Sequence, residues 1–344
     1  MQKILNKQTT YSQQYKGINI YNVIKKIGNG SFGDVYLVQN IKNQKYYAMK
    51  TLEIEKLTQN DNLKYAFSER SIIKKCNSPF IIKLYHSFET ERHLIMILDY
   101  CPGGDLYSLL QIKYRFQEDL ARKYLSEVLL AIEELHVQDI MYRDMKPENI
   151  VICSDGHTKL IDFGLSKENI GKTTSQSFCG SGAYLAPEII GEKGHNKSVD
   201  WYQFGILAYE LIVGQPPFNY MDKQTLYFYI QNKQVEFPHF VSDNAQDLIR
   251  NVFFINYFHY FLFKLLHKQP ELRLGGTGGA LQIKKHQFFE GIIWENVNKK
   301  QLDMHIPNFE NINNEKIDVS FKIKELTEQM FPNWYFLDQQ EITL

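Results

Sequence analysis

The chain has 344 residues, in which 39 lysines and arginines balance 39 aspartates and glutamates. This length suits one large domain or two closely packed lobes. Because the formal net charge is zero, the sequence offers no global attraction to nucleic acid or to an anionic membrane, and we expect no nucleic-acid partner. The four cysteines lack any CxxC spacing, which favours reduced thiols over disulfides or zinc ligands.

The N-terminal extension, residues 1–20, has no apolar stretch of the length that a secretory signal needs. The longest apolar run, Val252 to Phe263, is interrupted by Asn256 and His259 and is shorter than the ~20 residues of a membrane span. We therefore expect no transmembrane segment and a cytoplasmic location.

Hydrophobic periodicity predicts an α+β fold with two lobes. Residues 21–98 alternate short β-rich runs with one main helix-periodic segment around 65–76, which predicts a β-rich N-terminal lobe. Residues 103–290 carry long amphipathic segments, such as 118–137 and 198–214, which predict a helical C-terminal lobe. From about Ile293 the periodicity weakens, and residues 291–344 are predicted to be an extended tail that ends in the aromatic sequence FPNWYF.

The first chemical motif is GNGSFG, in which Gly28, Gly30 and Gly33 lie between two strand-like runs. Glycines allow backbone amides to approach phosphate oxygens at points where a Cβ would collide. A dinucleotide-binding fold would need a helix directly after the glycines, whereas the following DVYLV is strand-like. By itself the motif also fits a glycine-rich hairpin without a ligand.

Two charged residues follow this hairpin at suggestive positions. Lys50 ends an apolar strand, from which its ammonium could reach the α- and β-phosphates of a nucleotide. Glu69, on the next predicted helix, is suitably placed to pair with Lys50 and hold it. Taken singly, each would be an ordinary solvated side chain.

The segment YRDMKPEN, residues 142–149, places a base, a cation and a metal ligand in one loop. Asp144 can deprotonate an acceptor hydroxyl, Lys146 can neutralise a moving phosphoryl group, and Asn149 can ligate magnesium. Asp162, in a DFG sequence after a strand-like run, could chelate magnesium that bridges the β- and γ-phosphates.

The same motifs continue in order with APE from Ala186, DWYQFG from Asp200 and PPF from Pro216. Over about residues 21–290 the chain resembles eukaryotic protein kinases. The YRDxKPEN form, SFCG from Ser177, FFEGIIWENV from Phe288 and the aromatic tail narrow this resemblance to the AGC group of serine/threonine kinases.

The resemblance implies a two-lobed fold that binds ATP between the lobes, uses Mg2+ and phosphorylates Ser or Thr in proteins. It also implies a packed spine of Ile73, Leu84, Tyr142 and Phe163, and a buried ion pair of Glu188 with Arg273. In addition to the residues already named, the nucleotide site that it implies contains Ile27, Val35, Ala48, Asp99 and Cys101.

Substrate recognition is predicted from two acidic positions. Asp105 and Glu148 match positions at which AGC kinases face the peptide groove, although either could be a solvated loop carboxylate. If both face the groove, they favour basic residues N-terminal to the acceptor, and the partners are proteins with basic motifs. Lys146 and Ser181 match what Ser/Thr-directed members of the group present.

Two regulatory sites follow from the same resemblance. Ser177 aligns with the activation-loop phosphosite, which an upstream kinase would modify and whose phosphate could pair with Arg143. The alternative is an unmodified serine. In the tail, Phe331 and Trp334 resemble the hydrophobic motif that docks on the small lobe. Tyr335 occupies the usual Ser/Thr phosphosite, so either Asp338 supplies charge, docking is constitutive, or the aromatics only pack.

Two departures from the family pattern stand out. GSGAY, residues 180–184, replaces the usual GTPEY and could alter peptide selectivity. Residues 251–263 interrupt an otherwise continuous family sequence, and 13 extra residues cannot enter a packed helix passively. They are interpreted as a translated intron, an aromatic docking loop or a core extension, and an uninterrupted message with all 13 codons would contradict the first.

The leading functional hypothesis is an active, monomeric Ser/Thr protein kinase in intracellular signalling. The alternatives are a catalytically silent kinase-fold scaffold and a small-molecule phosphotransferase. A silent kinase typically lacks one of Lys50, Glu69, Asp144, Asn149 and Asp162, and this chain retains all of them.

Overall fold

The computed structural model describes residues 20–30, 32–59, 62–168, 175, 177–250, 264–306 and 330–338. The chain forms two compact units, and each is described by itself. The described residues of the first unit lie within 20–74, 82–101 and 330–338, and those of the second within 75–81 and 102–306. The domain boundaries given above stay predictions.

The first unit is built on a six-stranded antiparallel sheet with the order β1-β2-β3-β5-β4-β8. Tyr47, Met49 and Ile97 belong to an apolar core cluster on this sheet. The β-rich prediction is confirmed, but β4 and β8 were not indicated by the sequence pattern. The strands are β1 (Tyr21–Gly30), β2 (Gly33–Asn40), β3 (Tyr46–Glu53), β4 (Leu84–Glu89), β5 (His93–Asp99) and β8 (Phe336–Leu337).

Two helices accompany the sheet, α1 (Ile54–Gln59) and α2 (Leu63–Lys75). The main helix predicted around residues 65–76 is α2, and α1 is a short addition. Within α2 the buried residues recur at helical spacing, as in Ala66, Glu69 and Ile73. One face of α2 is therefore buried although the helix is rich in charge.

The second unit is mainly helical, as predicted. A two-stranded antiparallel ribbon, β6 with β7, accompanies its helices. No helix among the residues that the structure describes is long and apolar enough to cross a membrane. The elements are α3 (Leu106–Lys113), α4 (Glu118–Val137), β6 (Ile150–Ile152), β7 (Thr158–Leu160), α5 (Pro187–Ile190), α6 (Ser198–Val213), α7 (Lys223–Asn232), α8 (Asp243–Ile249), α9 (Gly279–Lys284) and α10 (Trp294–Asn298).

The two longest helices differ in how they are buried. Helix α4 was predicted to be amphipathic, but its exposed or partly exposed residues lie only within 118–123 and 133–137, and residues 124–132 are all buried. Helix α6 was predicted to be amphipathic too, but all its residues from Ser198 to Ile212 are buried. Its polar residues therefore need partners inside the protein, and the loop of residues 142–149 provides them.

Residues 251–263, whose interpretation the sequence left open, lie outside the described residues, but both flanks are described. The amide of Leu265 donates to the carbonyl of Leu248 at 3.1 Å, and that of Leu266 donates to Ile249 at 3.2 Å. If the 13 intervening residues are left out of the numbering, each bond joins two residues that are four positions apart. This is the spacing of the hydrogen bonds in an α-helix. Lys264 forms an ion pair with Asp247 in the same register.

The residues after this segment are also anchored in the core. Leu265 and Leu266 are fully buried, and a Cβ built on Gly205 of α6 would approach each of them to 2.8 Å. The hydrogen bonds and packing of α8 therefore continue across the junction as if Arg250 and Lys264 were consecutive.

We expect removal of residues 251–263 to preserve the fold. Closing a 13-residue loop costs on the order of 2 kcal/mol in chain entropy, so the shortened protein should unfold at equal or higher denaturant concentration. Circular dichroism and chemical unfolding would measure this. Replacing the segment with 13 glycine and serine residues is the control for composition, and loss of cooperative unfolding in the deletion variant alone would show that the segment is structural.

Candidate active site

The glycine hairpin is formed by β1 and β2, with Gly28 opposite Val35 and Gly30 opposite Gly33. A Cβ on Gly33 would lie 2.0 Å from the carbonyl oxygen of Thr51, so packing alone requires glycine there. At Gly28 and Gly30 the nearest atoms would be 3.4 Å away. No steric conflict of that kind explains these two glycines, and they leave the backbone open to close approach by a ligand.

Lys50 and Glu69 form the ion pair that their positions in the sequence predict. Lys50 lies on β3, and its Nζ is 2.6 Å from Oε1 of Glu69 on α2. Glu69 is almost fully buried, which strengthens the attraction because little water screens it. The helix therefore sets the position of the lysine ammonium.

The aromatic tail packs on the same helix. Trp334 is fully buried, and its ring meets that of Phe67 of α2 edge to face at 5.2 Å. Phe331 contacts Phe67 in the same way at 6.0 Å. The indole N–H of Trp334 donates to the carbonyl of Ile95 at 3.1 Å, so burial leaves no unpaired donor.

Polar contacts hold the tail backbone. Arg70 of α2 donates to the carbonyl oxygen of Tyr335 at 3.0 Å. Glu89 accepts from the amides of Met330 and Phe331 at 3.1 and 2.8 Å. Since Arg70 contacts the backbone at position 335, this contact requires no particular side chain there. Asp338 pairs with Lys83 at 2.8 Å.

In the second unit, α6 holds the loop that carries the predicted base. Asp200 accepts from the amides of Tyr142 and Arg143 at 3.0 and 2.8 Å. Gln203 accepts from the amide of Met145 at 3.1 Å and donates to the carbonyl of Arg143 at 2.9 Å. Four hydrogen bonds from one buried helix therefore determine the path of the loop. The sequence indicated Asp200 only as the first residue of the DWYQFG motif, and its role in holding the loop became evident from the structure.

The carboxylate of Asp144 lies at the centre of a polar cluster. Lys146 Nζ is 3.0 Å from Oδ2 of Asp144 and donates to Ser181 Oγ at 2.9 Å. Ser181 donates to Oδ1 of Asp144 at 3.1 Å, and Asn149 Nδ2 donates to Oδ2 at 2.8 Å. These contacts orient the carboxylate and balance its charge.

Asp162 and Arg143 adopt backbone conformations that are uncommon for residues with a side chain. Their φ angles are +58° and +70°, in the left-handed region. Local strain of this kind persists where surrounding contacts hold the backbone, and it is frequent at functional sites. For Arg143 those contacts are the hydrogen bonds to Asp200 and Gln203 described above.

The two predicted acidic substrate residues have different surroundings. Asp105 caps α3 by accepting from the amide and hydroxyl of Ser108 at 2.7 and 3.0 Å. Glu148 is exposed. A further carboxylate that the sequence motifs did not indicate, Glu210 on α6, accepts a hydrogen bond from the hydroxyl of Tyr184. Burial, opposed in part by that hydrogen bond, and the nearby charge of Glu148 raise the pKa of Glu210 to about 7.

The predicted phosphosite, Ser177, lies beside a cation. Arg143 Nη1 donates to Ser177 Oγ at 2.5 Å and to Ser175 Oγ at 3.2 Å. Lys167 Nζ donates to Ser175 at 3.4 Å. Two positive charges therefore lie near the two serine hydroxyls.

The remaining predicted residues lie in both units. The rings of Tyr142 and Phe163 meet edge to face at 5.4 Å, and Ile73 and Leu84 are buried in the first unit. Arg273 binds Glu188 through two hydrogen bonds of 2.7 and 2.9 Å, which confirms the predicted buried ion pair. Of the remaining residues predicted to bind nucleotide, four lie in the strands and one follows β5: Ile27, Val35, Ala48, Asp99 and Cys101.

Comparison with known proteins supports the same family. A family model described as Protein kinase domain matches residues 21–289. The chain therefore belongs to the protein kinase family, and its relatives are serine/threonine kinases of the AGC type. The two-lobed α+β fold class predicted from the sequence is confirmed.

Three relatives show how similar this chain is in sequence to serine/threonine kinases of other organisms. The chain is 40% identical over 287 residues to the serine/threonine-protein kinase AtPK2/AtPK19 of Arabidopsis thaliana, covering 83% of this chain and 58% of that protein. It is 38% identical over 288 residues to the RAC family serine/threonine-protein kinase homolog of Dictyostelium discoideum, covering 83% and 61%. It is 39% identical over 287 residues to the human ribosomal protein S6 kinase alpha-3, covering 82% and 37%. The aligned region thus spans less than two thirds of each relative.

We expect Trp334→Ala to destabilise the first unit by ~3–5 kcal/mol, because the substitution leaves a cavity against α2 and removes the hydrogen bond from the indole to Ile95. Thermal unfolding would measure the change. Tyr335→Phe is the matched control and should be close to neutral, since Arg70 binds the backbone of Tyr335. Equal losses in both variants would contradict the packing described for the tail.

Proposed function

We propose that this protein is an active kinase that transfers the γ-phosphoryl group of Mg-ATP to Ser or Thr hydroxyls of other proteins. The observation that carries the proposal is the carboxylate of Asp144, held between Lys146, Ser181 and Asn149 on a loop that α6 orients. The Lys50–Glu69 pair supports it from the first unit.

The residues present fit Mg-ATP. The hydrogen bonds from Asn149 to Asp144 use its amide nitrogen, which leaves its carbonyl oxygen as the atom to ligate a hard cation. Asp162 would supply a carboxylate to the same kind of ion, and Lys50 would bind the α- and β-phosphates beside the open backbone of Gly28 and Gly30. Magnesium, when bound, supplies charge neutralisation at the phosphates.

The chemistry at the acceptor falls to the second unit. The hydroxyl oxygen of the substrate attacks the γ-phosphorus, the bond to the β-phosphate oxygen breaks, and ADP leaves. Asp144 orients the hydroxyl and accepts its proton, while Lys146 stabilises charge on the transferred group. Ser181 keeps the carboxylate of Asp144 in position through its hydrogen bond.

Carboxylates of the second unit support a preference for basic peptides. Glu148 lies two residues after Lys146 in the catalytic loop, and its charge acts on Glu210 and Tyr184. We assign Glu148, Glu210 and Asp105 to the recognition of arginine or lysine near the acceptor, since guanidinium groups pair well with carboxylates. Asp105 would do so while it caps α3.

We also propose that phosphorylation of Ser177 and docking of the tail regulate the protein. An upstream kinase would phosphorylate Ser177 beside Arg143, and the docked tail would support the helix that carries Glu69. The hydrogen bond from Arg70 to the backbone of Tyr335 supports docking without a phosphate on the tail. We propose a monomer in the cytoplasm, acting in intracellular signalling.

The kinase assignment predicts that the chain phosphorylates arginine-rich serine peptides and that Asp162→Asn lowers the rate by roughly 100-fold or more, through loss of a metal ligand. Transfer of labelled γ-phosphate would be measured with Ser177 phosphorylated and unmodified. Asp119→Asn, an exposed carboxylate on α4, is the matched control and should retain full activity.

Either negative result can be interpreted. Activity that survives Asp162→Asn would assign the phosphate transfer to another mechanism or to a contaminant. Silence from the folded chain, from its Ser177-phosphorylated form and from the variant that lacks 251–263 would instead favour a scaffold.

Glu210 predicts a pH dependence of peptide binding. With a pKa of about 7, its carboxyl is neutral below that pH and anionic above it. The dissociation constant of an arginine peptide should therefore fall roughly tenfold from pH 6 to pH 8, because the binding-competent fraction rises. Isothermal titration with Glu210→Gln, and with a peptide in which leucine replaces arginine, should give flat profiles. A pH dependence that persists in Glu210→Gln would exclude this residue as the cause.

A further inference from the structure

The surroundings of Ser177 contain a histidine that the proposed activity does not use. Ser175, Ser177 and His195 line one open cavity of the second unit, together with Glu188 and Glu192. His195 is joined to Ser175 by two backbone hydrogen bonds of 2.8 and 3.0 Å. Ser175, two residues before Ser177, and His195 are therefore held side by side.

His195 is 4% exposed, yet its Nε2 has no hydrogen-bond partner among the residues that the structure describes. A buried polar atom without a partner costs about 1–3 kcal/mol, and such atoms are rare enough in proteins to require an explanation. Nε2 is also closed to water, so it can meet a new partner only if the imidazole turns towards the cavity that His195 lines.

The charges around His195 indicate what that partner would be. Burial is the main cause that lowers its pKa, and the positive charges of Arg143 and Lys167 lower it further. Glu188 and Asp200 act in the opposite direction, and Glu192 lines the same cavity. With Ser177 unmodified, the imidazole is therefore neutral at pH 7, next to a pair of cations that would attract an anion.

We propose that His195 is a ligand of a phosphate on Ser177, alongside Arg143 and Lys167. The inference rests on the proposed modification of Ser177 and deepens it by assigning a third phosphate-binding residue. A phosphoserine adds about −2 charge and three acceptor oxygens at the position that Arg143 already contacts. Its oxygens would accept from Nε2, and its charge would favour the imidazolium form.

In this arrangement the strength of the interaction between His195 and the phosphate depends on pH. The second ionisation of a phosphomonoester lies near pH 6, and the imidazolium and the dianion stabilise each other. As the pH rises above neutral, the imidazole loses its proton and the attraction weakens, although a neutral Nε2–H still donates. The phosphate should therefore be held most tightly around pH 6 to 7.

The test uses the full chain with phosphoserine incorporated at position 177 and compares His195, His195→Phe and His195→Gln. Phosphorus NMR titration would give the pKa of the phosphoserine, and the rate of hydrolysis by a broad-specificity phosphatase would report its protection. We expect His195→Phe to raise the phosphoserine pKa and to speed dephosphorylation roughly tenfold at pH 6.5, with a smaller effect at pH 8.5. His195→Gln should restore part of the protection because an amide N–H can donate.

The controls separate this inference from the broader proposal. His239→Phe removes an exposed histidine outside the cavity and should change neither readout. Unchanged phosphoserine pKa and phosphatase sensitivity in both His195 variants would overturn the inference. Kinase activity is measured in parallel: a phosphate protected by His195 that leaves activity unaltered supports the binding site and contradicts only the activating role of Ser177.

Discussion

Helix α6 is the element on which the candidate active site depends. It is buried on every side, and its polar residues Asp200 and Gln203 bind backbone groups of the loop of residues 142–149. Burial makes these hydrogen bonds strong and also costly to leave unmade. The loop that carries Asp144 and the uncommon backbone conformation of Arg143 are thus tied to the stability of the helical core.

In the first unit, too, one helix supports several functional contacts. Helix α2 carries Glu69, which positions Lys50, and also Phe67 and Arg70, which bind the tail. Since Phe67, Glu69 and Arg70 lie within one turn, ordering the tail stabilises the helix that places the lysine. The contacts of the tail with Arg70 and Glu89 are to backbone groups, so docking depends on the path of the chain and on two buried rings more than on charge at position 335.

In the second unit, Arg143 and Glu210 lie beside groups that matter for the proposed regulation and substrate recognition. Arg143 donates to both Ser175 and Ser177, and Glu210 accepts from the hydroxyl of Tyr184 and lies near the charge of Glu148. The junction between Arg250 and Lys264 is also stabilised by hydrogen bonds. Leu265 and Leu266 donate to carbonyls of α8 and fill the space beside Gly205, so the core accommodates the interruption.

The sequence by itself was sufficient to predict the fold class, the helices α2, α4 and α6, four strands of the six-stranded sheet, and the pairing of Lys50 with Glu69. Periodicity reports which face of an element is buried, and phosphate transfer requires particular groups at particular spacings. It was not sufficient for the short strand β8, for the approach of Glu210 to Glu148, for the pairing of Leu248 with Leu265, or for His195 beside Ser175. Each of these joins residues that lie far apart in the chain, and such contacts are decided by three-dimensional packing, which local patterns do not encode.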